Sequence, residues 1–368
     1  MIETNGTCSN VSQYTKHYTI GQGTYGRVYL ASRRDRPRDL VALKRIILHN
    51  EKDDGFPITS LRELNCLKRC SGHPNVVALL DVVVGNNNGV FLVFEYAEHD
   101  LAQILDASSS SSSSSFSGRS PFSESEVKCL VYQLLSGVAH LHSLWLMHRD
   151  LKLQNLLYTN AGQLKIADFG LARACGRRDR DPSALTQKVV TLWYRAPELL
   201  LGAEAYSNAI DVWSCGCVLA ELLLGRPLMP GRDEADQLSL VFALLGAPTQ
   251  RIWPDISNMP LVRSGAVNLY REQQRHPYND LEAIFPRHAK FAGSSFSSSS
   301  SSSSSAASPL LDLLNGLLCL APERRLACSV ALRHGYFYTS PHPKEVALMP
   351  SFPLPRQLQD KINSIKKA

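Results

Sequence analysis

Five stretches of this 368-residue sequence carry side chains with chemistry to do. In IGQGTYGRVYL, Gly21, Gly23 and Gly26 stand at G-x-G-x-x-G spacing ahead of Val28. Glycines let a backbone turn tightly and come close to phosphate oxygens. Taken alone the spacing is weak evidence, because a glycine-rich β-turn looks the same. A dinucleotide fingerprint would need a helix directly after it, and RVYLAS reads as strand. In VALK, Lys44 alternates with Ala42, so both side chains point to one side of a strand. A lone strand lysine is a surface residue; one beside a phosphate loop can face a cleft. MHRDLKLQNLL supplies Asp150 and, five residues on, Asn155; KIADFGLAR supplies Asp168 before Phe169 and Gly170. These residue types suit phosphoryl transfer, which asks for alignment of a nucleophile and for charge to offset that of the phosphates. Asp150 would orient an attacking hydroxyl and take its proton. Asn155 and Asp168 offer hard oxygen ligands for Mg²⁺, and Lys44 would steady the α and β phosphates. VVTLWYRAPELLLG then closes a long loop running from Asp168 to Glu198. Five such elements in this order and spacing are not a chance arrangement.

The elements that must position them divide by type. From Tyr18 to Tyr96 the patterns favour strands, interrupted by one helix in DGFPITSLRELNCLKRC. Pro57 suits its first turn, and Ile58, Leu61, Leu64 and Leu67 recur at three-residue steps, which predicts the core face. On that reading Glu63 is a solvated acid. From about Leu101 helices dominate: EVKCLVYQLLSGVAHLHSL puts Val127, Leu130, Val131, Leu134, Leu135, Val138 and Leu141 on one face, and AIDVWSCGCVLAELLLG is apolar nearly all round. A small strand-rich lobe followed by a larger helical lobe is an α+β plan. The expected divisions are a short extension at 1–17, the first lobe and hinge at 18–97, the second lobe at 98–340 and a tail at 341–368. Serine tracts at 108–115 and 294–305 read as floppy surface insertions, since they have no apolar area to bury.

Bulk properties narrow the classes. Apolar residues make up 44% and charged residues 20%, as in a globular protein with a sizeable core. A net charge of +6 is too mild to argue for nucleic acid without a basic-aromatic patch, and none is visible. The short basic runs RRDRPRD, GRRDRD and KINSIKK read as solvated loops. Nine scattered cysteines lack the paired spacing of a zinc site, which predicts buried free thiols in a reducing compartment. No secretory leader and no apolar run long enough to span a bilayer are visible, so an intracellular, soluble protein is expected.

With these motifs in view, the stretch from about Tyr18 to Phe337 resembles a eukaryotic protein kinase. Lys152 in HRDLKLQN is the serine/threonine form. The helix spelling PITSLRE resembles the PITSLRE cyclin-dependent kinases and their PISSLRE sister branch, and EKDDGFPITSLRE, VVVGN, EHDL, VVTLWYRAPELLLGA, HPYNDL and LMPSFP fit the same branches. The resemblance implies a bilobal fold with ATP and Mg²⁺ between the lobes. It implies that Glu63 is the acid that holds Lys44 in place, and that an L-type or M-type cyclin contacts the Pro57–Glu63 helix and pushes it inward. It further implies that Asp211 supports the catalytic loop and that Glu198 pairs with Arg325.

By the same resemblance Ile20, Val28, Ala42, Val77, Phe94 and Leu157 wall the adenine, and the backbones of Glu95 and Ala97 bond its edge. Thr186 matches an activating phosphorylation site received by Arg62, Arg149 and Arg173, which come from three separate segments. Thr24 and Tyr25 match inhibitory sites, although a turn threonine and tyrosine without regulatory use is a rival reading there. Val190 and Arg195 match a pocket favouring proline after the target residue, which predicts Ser/Thr-Pro substrates in transcription, pre-mRNA splicing or cell-cycle control, with a mainly nuclear location. Two rivals share the fold: a catalytically inactive scaffold, against which the intact motifs argue, and a cyclin-independent MAP-kinase-like enzyme, which would need Thr-x-Tyr where this loop has Thr186-Gln187-Lys188.

Overall fold

The computed structural model describes residues 9–23, 26–46, 58–85, 89–110, 120–175, 190–289 and 308–367. The chain forms two compact units that interleave along the sequence. One comprises Met1–Ile104, Leu153–Arg173 and Val346–Ala368; the other comprises Leu105–Lys152 and Ala174–Glu345.

The first unit is built on a six-stranded sheet. Its strands are β1 (Ser9–Asn10), β2 (Tyr14–Gly23), β3 (Gly26–Arg33), β4 (Leu40–Ile46), β5 (Leu79–Val84) and β6 (Val90–Glu95), in the order β1-β5-β6-β4-β3-β2. Register settles what each face carries. Val28 lies opposite Lys44, Leu30 opposite Ala42, and Ala42 opposite Phe94. Directly paired residues share a face, so Val28, Leu30, Ala42, Lys44 and Phe94 line one side. The alternate residues pack on the other, where Tyr14, Ala31, Val41, Leu43, Val83, Phe91 and Val93 form a core cluster. Gly26 is fixed by packing as much as by any ligand: at φ +150° a Cβ there would sit 1.9 Å from the Arg45 carbonyl oxygen.

Helix α1 (Ile58–Arg69) joins this unit in an orientation that departs from its bare apolar periodicity. Ser60, Glu63, Cys66, Leu67 and Cys70 are buried, whereas Leu61 is exposed and Leu64 only half-buried. The sequence periodicity favoured leucines over an acid on the core face; the helix instead turns Glu63 inward because a buried cation awaits it there.

Beyond β6, strand β7 (His99–Asp100) pairs with Leu156–Tyr158, which pairs in turn with Leu164–Ile166. The Ile166 N–H donates to the Asn75 carbonyl and the Val77 N–H to the Ile166 carbonyl, both at 2.9 Å. This small sheet is thereby tied to the chain just ahead of β5. Helix α2 (Leu101–Ser110) runs into the first serine tract, so Ser108–Ser110 are helical where a floppy insertion was expected. The rest of that tract, the tract at 294–305 and Pro57 lie outside the described residues. KINSIKK is no solvated loop either: it ends the C-terminal helix Arg356–Lys367, with Ile362 and Ile365 buried.

The second unit is helical. The seven apolar residues predicted to share a face of α3 (Glu124–Ser143) are all fully buried. Every residue from Ala209 to Leu222 of the helix Ala209–Leu224 is buried. Arg325 makes two bonds to Glu198, Nη1 to Oε1 at 2.8 Å and Nη2 to Oε2 at 2.9 Å, and its guanidinium lies 5.2 Å from the Trp213 ring centre. The described cysteines are all free, and Cys66, Cys70, Cys129, Cys215, Cys217 and Cys328 are buried. Among the described residues no helix is long and apolar enough to cross a membrane.

Glu221 sits inside this core and accepts a hydrogen bond from the Tyr194 hydroxyl at 2.7 Å. Burial pushes its carboxyl up to about 7 from an ordinary 4.5, against the Tyr194 hydrogen bond and with a smaller push from Asp106. The native state therefore holds a proton that the unfolded chain releases, and stability falls as pH rises through the interval separating those two values. The full loss is of the order of 3 kcal/mol. Glu221→Gln, which cannot ionise, is expected to melt higher than the parent at pH 8 and to lose that advantage at pH 4.5, as read by thermal denaturation across pH.

Candidate active site

Two clusters of motif residues form, one in each unit. In the first, Lys44 Nζ donates to Glu63 Oε1 at 2.7 Å and to Asp168 Oδ1 at 3.3 Å. Burial alone would lower the Lys44 pKa; the charge of Glu63, then that of Asp168, outweighs it and holds the ammonium above its ordinary value. Glu63 is only 4% exposed, so its role as a solvated acid is ruled out. The pair expected to need a partner's push is closed in this structure.

Asn155 and Asp168 also belong to the first unit. The Ala167 N–H donates to the Asn155 carbonyl at 2.9 Å, which holds the segments bearing the two side chains side by side. Asp168 adopts a left-handed backbone at φ 61°. An amide and a carboxylate are a donor set of hard oxygens that suits Mg²⁺, a cation that keeps waters or phosphate oxygens for its remaining positions.

The expected adenine walls lie on the same unit. Val28, Ala42 and Phe94 share the sheet face of Lys44, while Val77 and Leu157 come from the segments knitted to the small sheet. Gly21 and Gly23 close the ladder of β2, and Gly23 pairs with Gly26. Ile20 occupies an irregularity of β2 and packs, with Leu40 and Tyr96, against a cluster formed by Leu30 and residues of the C-terminal helix. Glu95 has its carboxylate pinned, by the Ala78 N–H at 2.7 Å and by Lys165 at 2.9 Å, and Ala97 follows just past the end of β6.

In the second unit Asp150 is held from three sides. Lys152 Nζ donates to its Oδ2 at 2.8 Å, and the Thr191 hydroxyl and N–H donate to its Oδ1 at 3.1 and 3.3 Å. Lys152 also donates to the Thr191 hydroxyl at 3.0 Å. Behind this cluster lies Asp211, fully buried, which accepts from the His148 and Arg149 N–H groups at 2.8 Å each and from His142 Nε2 at 3.0 Å. Burial would raise the Asp211 carboxyl, but the bond from His142 and the neighbouring donors hold it below the ordinary range. Arg149 takes the left-handed backbone at φ 67°, which lets its N–H and that of His148 converge on one carboxylate. Val190 does the same at φ 70°, and its carbonyl accepts from Arg195 Nη2 at 2.9 Å and Nε at 3.3 Å.

The three arginines expected to receive a phosphate are divided. Arg62 and Arg173 belong to the first unit, where Cys66, one turn past Arg62, lies within reach of the Arg173 charge. Arg149 belongs to the second, with Nη1 donating to the Tyr206 hydroxyl at 2.6 Å. Thr186, Thr24 and Tyr25 lie outside the described residues. Sequence reasoning missed Thr191 and Tyr206. Thr191 stands inside VVTLWYR, where a threonine between apolar residues signals nothing until the chain folds back across 41 positions to Asp150.

A model of the protein kinase domain matches residues 14–337. Cyclin-dependent kinase G1 of Arabidopsis thaliana is 45% identical over 349 residues, covering 94% of this chain and 52% of that protein. Cyclin-dependent kinase 10 of Homo sapiens is 45% identical over 350 residues, covering 95% of this chain and 86% of that protein. The chain thus spans about half the length of its G-type plant relatives. Among solved structures, a chain of the CAK complex of Chaetomium thermophilum bound to ATP-gamma-S is 30% identical with a TM-score of 0.73, over 93% of this chain and 96% of that one. By motif, fold and these likenesses together, the chain belongs to the protein kinase family, among the cyclin-dependent kinases.

Proposed function

We propose that this chain is a serine/threonine kinase that passes the γ-phosphoryl group of ATP to hydroxyls followed by proline, in company with a cyclin. The observation that carries the reading is the closed Lys44–Glu63–Asp168 cluster. An ammonium held rigid by one acid, with a second acid beside it, is a preorganised mount for triphosphate oxygens. That the solved neighbour was bound to ATP-gamma-S supports the choice of nucleotide.

Each residue then has a task. Asn155 and Asp168 would hold Mg²⁺, which when bound offsets the charge of the phosphate oxygens. Val28, Ala42, Phe94 and the other apolar walls take the adenine, whose edge bonds the backbone at Glu95 and Ala97. Asp150 accepts the proton as the substrate oxygen forms its bond to phosphorus and the bond to the ADP oxygen breaks. The Thr191 donors keep that carboxylate aimed, and Lys152, already bonded to it, places positive charge near the group in transit.

Selection for proline follows from Val190. Its carbonyl is engaged by Arg195, so it offers nothing to a substrate amide. Any residue but proline would bring an N–H into the pocket without an acceptor, at a cost of about 1–3 kcal/mol, whereas proline has none to lose. The exposed Leu61 on α1 supports a partner seated on that helix, and the names of the relatives support a cyclin, for which we favour the L or M type. The motif likeness favours nuclear substrates in transcription, splicing or the cell cycle.

Two outcomes test the reading. Glu63→Gln should cut kcat/KM about 100-fold and lower the melting temperature, because Lys44 loses both its fixed position and a buried counter-charge, and Asp150→Asn should abolish turnover. Cyclins should be among the proteins recovered with the tagged chain and should support the activity; full turnover by the chain alone would remove the partner from the account. For specificity, a Ser-Pro peptide should exceed its Ser-Ala counterpart by roughly 10- to 100-fold in kcat/KM, and Arg195→Ala should shrink that ratio by freeing the Val190 carbonyl.

A further inference from the structure

The segment from Val346 onward is fastened to the rest of the first unit at successive points between Val346 and Ile365. Gly162, at φ +83°, leaves room for it: a Cβ there would stand 2.1 Å from the Val346 carbonyl oxygen. The Phe352 N–H donates to Asn160 Oδ1 at 2.8 Å, and its carbonyl accepts from His99 Nε2 at 3.1 Å and from Asn160 Nδ2 at 3.2 Å. Its ring meets those of Tyr158 and His99 edge-on. From there the C-terminal helix Arg356–Lys367 lays Leu358, Ile362 and Ile365 on Leu30, with Ile20, Leu40 and Tyr96 packed around them.

The place of this seat matters. Leu30 pairs with Ala42, so the helix covers the same sheet face that carries Val28, Ala42 and Lys44, one residue pair farther along. The cluster it forms with Leu30 is flanked by Ile20 of β2, immediately before Gly21, and by Tyr96, which lies between Glu95 and Ala97. The Tyr96 hydroxyl is buried without a hydrogen-bond partner among the described residues, so the ring and not the polar tip is what the seat uses.

We infer that Leu358, Ile362 and Ile365 are positioning residues for the nucleotide: clustered with Leu30, against which Ile20 and Tyr96 pack, they fix the roof and the edge of the adenine site and so set how tightly ATP is held. This rests on the adenine walls assigned in the proposed function. The cluster that seats the helix is made of Leu30, Ile20, Leu40 and Tyr96, beside the adenine walls, so its loss is expected to act on ATP affinity more than on phosphoryl transfer.

The test compares the full chain with Leu358→Glu/Ile362→Glu and with the exposed control Asp360→Asn. Mg-ATP affinity is measured by equilibrium titration, KM for ATP and kcat on a Ser-Pro peptide with the co-purified partner, and amide exchange over β2 and β3. The expected result is ATP binding weakened about tenfold, KM raised alike with kcat within twofold, and faster exchange in β2 from Tyr18 to Gly23, with the control unchanged. Ile362→Leu should restore affinity. If the double variant does not fold, Ile362→Ala carries the same comparison with a shift of about threefold. A lower melting temperature with unchanged ATP affinity would make the helix a stabilising clamp only and overturn the inference. If the parent chain itself binds no Mg-ATP, the functional reading falls and takes this one with it, a result seen in the first titration.

Discussion

The structure turns on one buried ammonium. Lys44 lies on a sheet face among apolar neighbours, Val28, Ala42 and Leu92, and a lone cation there would be destabilised by several kcal/mol. Glu63 and Asp168 answer it from two different segments, and much of the first unit can be understood as the means of delivering them. The paired register of β3 and β4 aims the lysine. The rotation of α1 that buries Glu63 also exposes Leu61, contrary to the usual preference for leucine inside. The bonds joining Asn75 and Val77 to Ile166 fix the strand from which Asp168 follows two residues later. Such a cluster contributes little net stability over an apolar core of equal volume, so its retention marks it as chemistry more than scaffold.

Backbone strain follows the same map. Among the described residues four non-glycine positions take a left-handed backbone, Trp145, Arg149, Asp168 and Val190, and the last three belong to the motifs. Such conformations cost roughly 1–3 kcal/mol each and persist where surrounding bonds leave the chain no alternative. Those bonds are visible: Asp211 takes the Arg149 N–H, Lys44 takes the Asp168 carboxylate, and Arg195 takes the Val190 carbonyl. Val190 is the most telling, since a β-branched side chain is the least suited to that region. Its strain turns one carbonyl, and the orientation of that carbonyl is what the proposed proline selection depends on.

The order of strands then helices, the seven-residue face of α3 and the five chemical motifs were legible in the sequence because each is a local pattern of period or spacing. The Lys44–Glu63 pairing was legible only through the family resemblance. Local periodicity pointed the other way, toward Leu61 as core, because a period reports apolar content and says nothing of a buried charge elsewhere that needs an acid. Thr191 and Tyr206 were illegible for a related reason: each meets its partner across dozens of residues, and a lone hydroxyl has no pattern. The serines of α2 were misread because composition reports how little they can bury, while a helix already begun at Leu101 needs only backbone bonds to continue through them.

The C-terminal helix shows the same limit from the other side. Its twelve residues hold only three buried apolar side chains, at 358, 362 and 365, among lysines, glutamines and asparagine. A helix of that length is marginal in water, so its order has to come from the surface it lies on. That surface in turn consists of Ile20, Leu30, Leu40 and Tyr96, which would otherwise leave an apolar patch on the sheet face beside Lys44. Helix and seat therefore stabilise each other, and neither is readable alone: the helix looks like a basic run, and the seat looks like ordinary strand. The unit carrying the Lys44 cluster is thus assembled from three separated stretches of chain, the last of them from Val346 onward, and the face beside the cluster is complete only when that last stretch is in place.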